Sequence, residues 1–233
     1  MQPFLPPFGP THLLILLAVV FISGLVYVTA RSQPRLRTSL RWLLALVSAG
    51  LGLTWYAFRI WSLHEQWKFS LPLEVCDVAL WVTVAALVLP RQRLLELAYF
   101  WGLSGATVAL LTPYLVAPLI SVTSITFLAG HGIIVVDVFY LLGVRAVRLA
   151  PQVWSFSFAA INVLMLFDLV FDRLSGANYM YLLHKPPIRS LLDVMGPWPL
   201  YIVSADVLAA AIFIAMQWPF CSPFPHPRSR RTE

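Results

Sequence analysis

Seven stretches of the chain are apolar for the length a helix needs to cross a bilayer, about 20 residues for a hydrocarbon core about 30 Å thick. They cover residues 12–30, 42–61, 71–89, 94–111, 120–144, 154–171 and 198–218 of the 233. Lipid offers backbone N–H and C=O groups no partner, so each run is expected to be a helix that satisfies its own ladder. Hydrophobic residues make up 60% of the sequence and charged residues 11%, against about 45–50% and about 25% in soluble proteins. The expected fold class is therefore an all-α membrane protein with seven transmembrane helices, forming one domain over residues 1–220.

Orientation follows from where the cations fall. Arg31, Arg35, Arg37 and Arg41 follow the first run, Arg91 and Arg93 the third, Arg145 and Arg148 the fifth, and Arg228, Arg230 and Arg231 the seventh. The opposite ends carry only Lys68, Arg173, Lys185 and Arg189. The positive-inside bias predicts an N-terminus outside and a C-terminus in the cytoplasm. Trp42, Trp154 and Trp218 then sit at the inner interface and Trp67 and Trp198 at the outer one, as an aromatic belt. The net charge of +6 reports topology and contact with anionic lipid, and no nucleic-acid partner is expected. The first run has no positive charge before it and exceeds a signal peptide's apolar core, so it is a retained span. Cys76 and Cys221 fall near opposite membrane faces and cannot pair in a disulfide. Residues 221–233, Pro-rich and basic, read as a disordered cytoplasmic tail.

The third run opens with an anomaly, LPLEVCDVALW over residues 71–81, which puts Glu74, Cys76 and Asp77 in the first two turns of a span. Counting from the cytoplasmic ends at about 1.5 Å per residue, Cys76 and His131 both lie about 21 Å up, and Asp168 and Asp206 about 20 Å up. Arg59, Glu74 and Asp77 fall at or slightly above that level. Ionisable groups at such depth are costly unless they pair or line a wet cavity. Taken singly, each has a plain reading: a packing cysteine, a satisfied histidine, an arginine neutralising a carboxylate. Together they point to one outward-opening polar pocket, because at about 100° per residue Glu74, Asp77 and Cys76 spread over about 160° of helix surface. Gly130 and Gly132 flank His131 and leave its imidazole open to a neighbour or a ligand. Ala98, Gly102, Gly105 and Ala109 form a small-residue stripe for close helix packing. Glu96 and Asp137 lie off the shared level, toward the cytoplasmic half, within reach of interfacial arginines. No span carries a His or Cys pair at metal-ligand spacing, so no metal is expected. The only lysines, Lys68 and Lys185, lie in loops, which leaves no Schiff-base lysine for a retinal.

The long outer loop, residues 172–197, holds apolar pieces separated by Pro186 and Pro187 and reads as a lid, a surface-lying segment or a structural cap. Together LPLEVCDVALW, ELAYFWGLSGATVALLTP, GHG, NYMYL and SLLDVMGPWP resemble the YwaF-like integral membrane family of bacteria, related to the eukaryotic transmembrane-protein-164 family. The likeness spans roughly residues 65–215. It implies a seven-helix protein of a bacterial inner membrane. For the eukaryotic relatives it also implies an acyltransferase that moves fatty acyl groups between phospholipids through a membrane cysteine with a histidine nearby. Carried over, these roles fall on Cys76 and His131. The chemistry itself then asks for a lysophospholipid acceptor and no cofactor, and for Asp77 or Asp206 to orient the imidazole. Substrate contacts would fall on Arg59, Glu74, Asp168, Asn178, Tyr179, Asp193 and Asp206. A thiol is a poor nucleophile until deprotonated, which is why the base matters. The competing expectation is a transporter or solute-binding protein in which Glu74, Asp77, Asp206 and Arg59 hold a substrate or coupling ion, a class that a Pro-Leu and Asp-Val echo between the third and seventh runs also suits. The oligomeric state is left open.

Overall fold

The computed structural model describes residues 4–89, 91–113, 115–144, 153–187 and 190–220. Arg145, Arg148, Arg189, Cys221 and the basic tail at 221–233 lie outside the described residues. Among the described residues six helices are long and apolar enough to cross a membrane: α1 Pro10–Ser32, α2 Pro34–Ser62, α4 Gln92–Leu111, α5 Val122–Gly143, α6 Val153–Ser175 and α7 Leu200–Phe220. The seventh, α3, is shorter and runs Val75–Val88. Among the described residues there is no strand. The protein is thus all-helical and built for the membrane. Side chains such as Leu17, Val20 and Phe21 on α1 and Val163 and Leu166 on α6 are more than half exposed, which suits a helix surrounded by hydrocarbon and not by water.

Helix α3 departs from expectation at its start. Its 14 residues rise about 21 Å, short of the hydrocarbon thickness. The apolar run from Leu71 is not helical until Val75, because Glu74 holds an extended backbone, φ −63° and ψ 142°. Two other helices widen locally: α2 ends in a π turn at Phe58–Ser62 and α4 contains one at Ala98–Gly102. Such turns insert one residue into the α ladder and re-aim the side chains around them.

Helix α5 is the hub, packed against α1, α2, α3 and α4, while α6 and α7 pair with each other and join the rest mainly through α4. That junction is specific. The Tyr99 hydroxyl donates to the Met216 carbonyl at 2.9 Å, the Trp101 indole donates to the Ser157 carbonyl at 3.0 Å, and Phe100 meets Phe213 with ring centroids 5.2 Å apart. The small-residue stripe does the packing expected of it at Gly102, where a Cβ would stand 2.9 Å from a methyl of Ile134. Closer still is the α1–α5 crossing, where a Cβ on Gly143 would stand 2.7 Å from the Tyr27 carbonyl oxygen.

Buried polar groups serve as ties. His12, fully buried, accepts the Phe8 amide on Nδ1 at 2.8 Å and donates from Nε2 to the Leu110 carbonyl at 2.7 Å, fixing the start of α1 to the end of α4. Glu96 meets an arginine as expected, Arg93 at 2.9 Å. Asp137 instead takes the Ser48 hydroxyl at 2.7 Å, across the α2–α5 contact.

Gly143→Ala should force α1 and α5 apart and cost about 1–3 kcal/mol, the range for overpacking. Gly50→Ala, at a site with nothing within 4 Å of the added carbon, should stay within about 0.5 kcal/mol. Unfolding midpoints in detergent compare the two, and equal midpoints would contradict the close crossing.

Candidate functional site

The site is built around the segment between α2 and α3, residues 63–74, which is irregular apart from one 3-10 turn at Trp67–Phe69. Backbone that leaves a helix near the membrane needs partners from elsewhere in the protein. Arg59, on the π turn of α2, supplies the first set. Its Nε donates to Glu65 Oε2 at 2.5 Å, its Nη2 donates to the Phe69 carbonyl, and its guanidinium lies 5.5 Å from the Trp55 ring centroid. The Ser70 hydroxyl donates to the same Glu65 oxygen at 2.9 Å. Arg59 therefore does neutralise a carboxylate, but it is Glu65, which sits in the loop and was not among the candidates.

Tyr179 supplies the second set from the far side. Its hydroxyl accepts the Leu71 amide at 2.9 Å and donates to the Lys68 carbonyl at 3.1 Å. Burial pushes the Tyr179 phenol up to about 12, so it stays a donor across the physiological range. Next to it, the Met180 amide donates to Glu74 Oε2 at 3.1 Å, and the Lys68 ammonium donates to the Ser175 carbonyl at 2.9 Å. Met180 and Tyr181 both hold left-handed backbone, φ 51° and 55°, a conformation that side chains disfavour and that surrounding contacts must impose. Glu74 imposes it on one side, and the Tyr201 hydroxyl, donating to the Tyr181 carbonyl, on the other.

Cys76 is the second residue of α3. Its sulfur lies 3.6 Å from the point a Cβ on Gly105 would occupy, so the small-residue stripe on α4 also makes room for the thiol. Glu74 and Asp77 are the charged groups that act on it, and Asp77 in turn lies beside Arg59 and Tyr56. No side chain caps the start of α3, which leaves the first-turn amides around Cys76 without a capping acceptor.

His131 is oriented differently from expectation. Its Nδ1 lies 2.7 Å from the Phe127 carbonyl, one turn back in α5. A carbonyl only accepts, so Nδ1 carries the proton and Nε2 keeps its lone pair. The orienting partner is backbone, and not Asp77 or Asp206. The ring also leans on Phe127, with centroids 4.4 Å apart. Among the described residues Cys76 makes no hydrogen bond and His131 only this one, although α3 and α5 pack directly against each other and both against α4.

The level shared by the carboxylates separates into distinct environments. Asp206 accepts from the Asn162 amide at 3.1 Å, and Asn162 lies six residues, about 9 Å, below Asp168 along α6. Asp168 is fully buried, and neither carboxylate oxygen has a hydrogen-bond donor. Asp172, one turn on, is equally buried and lies near the backbone of Tyr179. Asn178 turns inward on its own loop: its side-chain oxygen accepts the Leu183 and His184 amides at 2.9 and 3.2 Å. Asp193 accepts the Ser190 amide at 2.8 Å and faces Lys185 at 3.9 Å. Asn162, Glu65 and Tyr56 carried no local signal in the sequence, since each gains meaning only from a partner on another element or across a loop.

Val75, the residue before Cys76 in the chain, borders an apolar space. A cavity of about 150 Å³ between α6 and α7 is lined by Val75, Met165, Met180, Tyr201 and Asp206, among others. An adjoining one of about 430 Å³ shares Met165, Leu182 and Ile202 with it and reaches Val163 and Leu166 on the outer face of α6.

Tyr179→Phe removes the partner of a backbone donor and of a backbone acceptor and should cost about 1–3 kcal/mol, the penalty for stranding a buried polar group. It should also speed proteolytic cleavage within 63–74, read by limited digestion in detergent. Cleavage at the wild-type rate would mean that the loop does not lean on this hydroxyl.

No curated protein and no solved structure matches the chain. The model of the TMEM164 family matches residues 7–217, a span that takes in Cys76, His131, the Tyr179 turn and most or all of each of the seven helices. The relation to the transmembrane-protein-164 family carried by the five sequence motifs is thereby borne out, and the chain belongs to the TMEM164 family.

Proposed function

We propose that this multi-pass membrane protein is a phospholipid acyltransferase of a bacterial inner membrane, N-terminus outside, that works through a thioester on Cys76. The observation that carries the reading is the position of that cysteine, at the uncapped start of α3, one residue after Val75, which lines a cavity continuing to the lipid-facing side of α6. A nucleophile for an ester carbonyl belongs where a polar boundary meets acyl chains.

The chemistry closes without a cofactor. His131 Nε2 takes the thiol proton, and the Cys76 sulfur attacks the donor ester carbonyl to form a C–S bond. The carbonyl oxygen's developing charge is met by the free first-turn amides of α3, as an oxyanion hole requires. The C–O bond breaks, and the departing lysophospholipid alkoxide takes the proton back from His131. A second lysophospholipid then gives its hydroxyl proton to His131 and attacks the thioester, and the thiolate leaves and is reprotonated. Asp77 positions this end of α3 through its neighbours Arg59 and Tyr56. Cys76 and His131 come into hydrogen-bond reach on modest closure of the bundle around the lipid, a tightening common in sites that are loose when empty.

A second reading, a transporter, is favoured by Asp168, whose buried and donorless carboxylate suits a coupling cation or proton. One experiment separates the two. In liposomes holding labelled phospholipid and a lysophospholipid acceptor, the wild type should form a hydroxylamine-sensitive thioester, and Cys76→Ala and Cys76→Ser should abolish it. His131→Ala should slow acylation by about 10²–10⁴-fold, the usual worth of a general base. Normal transfer by Cys76→Ala would overturn the acyl-transfer reading. Loss of solute uptake in Asp168→Asn, with no thioester in the wild type, would establish the transporter.

A further inference from the structure

The two cavities between α6 and α7 adjoin, with Met165, Leu182 and Ile202 in the lining of both, and together define one space. Its outer mouth is at Val163 and Leu166, which are 70% and 63% exposed on a helix that faces hydrocarbon, so the mouth opens to lipid. The inner part ends against Val75, the chain neighbour of Cys76. On α7 its wall is Tyr201, Ala205 and Ala209, one face at four-residue spacing that runs about 12 Å along the helix axis. On α6, Ile161, Met165 and Leu169 run a parallel stretch of about the same 12 Å. The long axis of the space therefore follows the helices, as lipid chains do. Met180, Leu182 and Leu192 from the outer loop close one end. Apart from Asn162 and Asp206, which bond to each other, and the Tyr201 hydroxyl, which is bonded to the Tyr181 carbonyl, the lining is aliphatic, thioether or aromatic.

We infer that this cavity holds the acyl chain being transferred, admitted sideways from the bilayer between α6 and α7, and that Ala205 and Ala209 set the length it accepts. The inference rests on the acyl-transfer reading for its chemistry, but the occupancy of the cavity by a lipid chain does not. An aliphatic chain is the ligand that this lining fits: it needs no hydrogen bonds, and the polar side chains present, Asn162, Asp206 and Tyr201, each already bond within the protein. Both alanines leave space that a larger residue would fill, and they lie one turn apart, so filling them should shorten the usable space in two steps.

The test uses the full chain in liposomes with donors that differ only in acyl length, octanoyl against palmitoyl. Ala209→Phe should keep the Cys76 thioester with the octanoyl donor and lose it with the palmitoyl donor by about tenfold or more, the scale on which a hydrophobic pocket discriminates by chain volume. Ala205→Phe should shift the preference in the same direction, by a different amount. If Phe at position 209 fails to fold, Ala209→Leu makes the same comparison with a smaller side chain. Folded variants that treat both chains as the wild type does would overturn the inference. A phospholipid with a photoreactive diazirine in its chain provides the arm that does not need catalysis. Labelling of Met165, Leu182 or Ala209, competed by palmitate, supports the site even if no thioester forms in the wild type, in which case only the acyl-transfer reading fails. Labelling confined to other helix faces would overturn the site itself.

Discussion

Everything distinctive in this protein depends on one constraint, that a backbone leaving its helix near hydrocarbon must find hydrogen-bond partners inside the protein. Residues 63–74 break the path between α2 and α3, and Arg59 and Tyr179 meet the need from opposite sides, one from the end of α2 and one from the loop after α6. The π turn at Phe58–Ser62 carries Arg59, whose side chain is brought to the loop. Because the break is stabilised in this way, α3 starts late, with its first-turn amides free and Cys76 among them. The same interaction that permits the irregular segment thus also sets where α3 begins.

The two parts of the bundle differ in how tightly they close. Around α5, glycines bring helices into contact so near that a single methyl group would not fit, as at Gly143 and Gly102. Between α6 and α7 the contact is sparser, and the described cavities lie there. A closely packed group thus holds Cys76 and His131, next to a more loosely packed pair. On the acyl-transfer reading the first would hold nucleophile and base, and the second would let the lipid enter and leave.

The sequence made most of the fold legible, because six of the seven spans are apolar helices of membrane-crossing length, and hydropathy finds such runs directly. The errors are at boundaries set by distant contacts. Leu71 to Leu73 are as apolar as the helix they precede, yet they are not helical, since the Leu71 amide is held by a tyrosine more than a hundred residues away. Helix α2 begins at Pro34, earlier than expected, because Arg35, Arg37 and Arg41 hide a helical segment from a hydropathy window. In the candidate site, depth along a helix can be counted from sequence, but the pairing of side chains cannot. Depth counting set Asp206 level with Asp168, whereas Asp206 bonds Asn162, a lone amide in an apolar run. It sought a carboxylate for His131, whereas the ring uses the carbonyl four residues back, which every helical residue presents and no sequence distinguishes.

That carbonyl contact bears on how the chemistry would be controlled. A histidine oriented by a carboxylate gains stability as an imidazolium, which favours holding the proton. A carbonyl fixes the tautomer without contributing a full negative charge, so the proton is returned more readily. For a transfer between two alcohols of equal acidity, donor and acceptor being the same kind of lysophospholipid, a base that gives the proton back as easily as it takes it suits both half-reactions. The remaining hazard is water, which would hydrolyse the thioester between them. The loop before α7, which lines the cavity with Met180, Leu182 and Leu192, is anchored through Glu74, Tyr179 and Tyr201. The contacts that support the break before α3 therefore also hold an apolar cover over the space that Val75 borders, and loosening either one would expose the other.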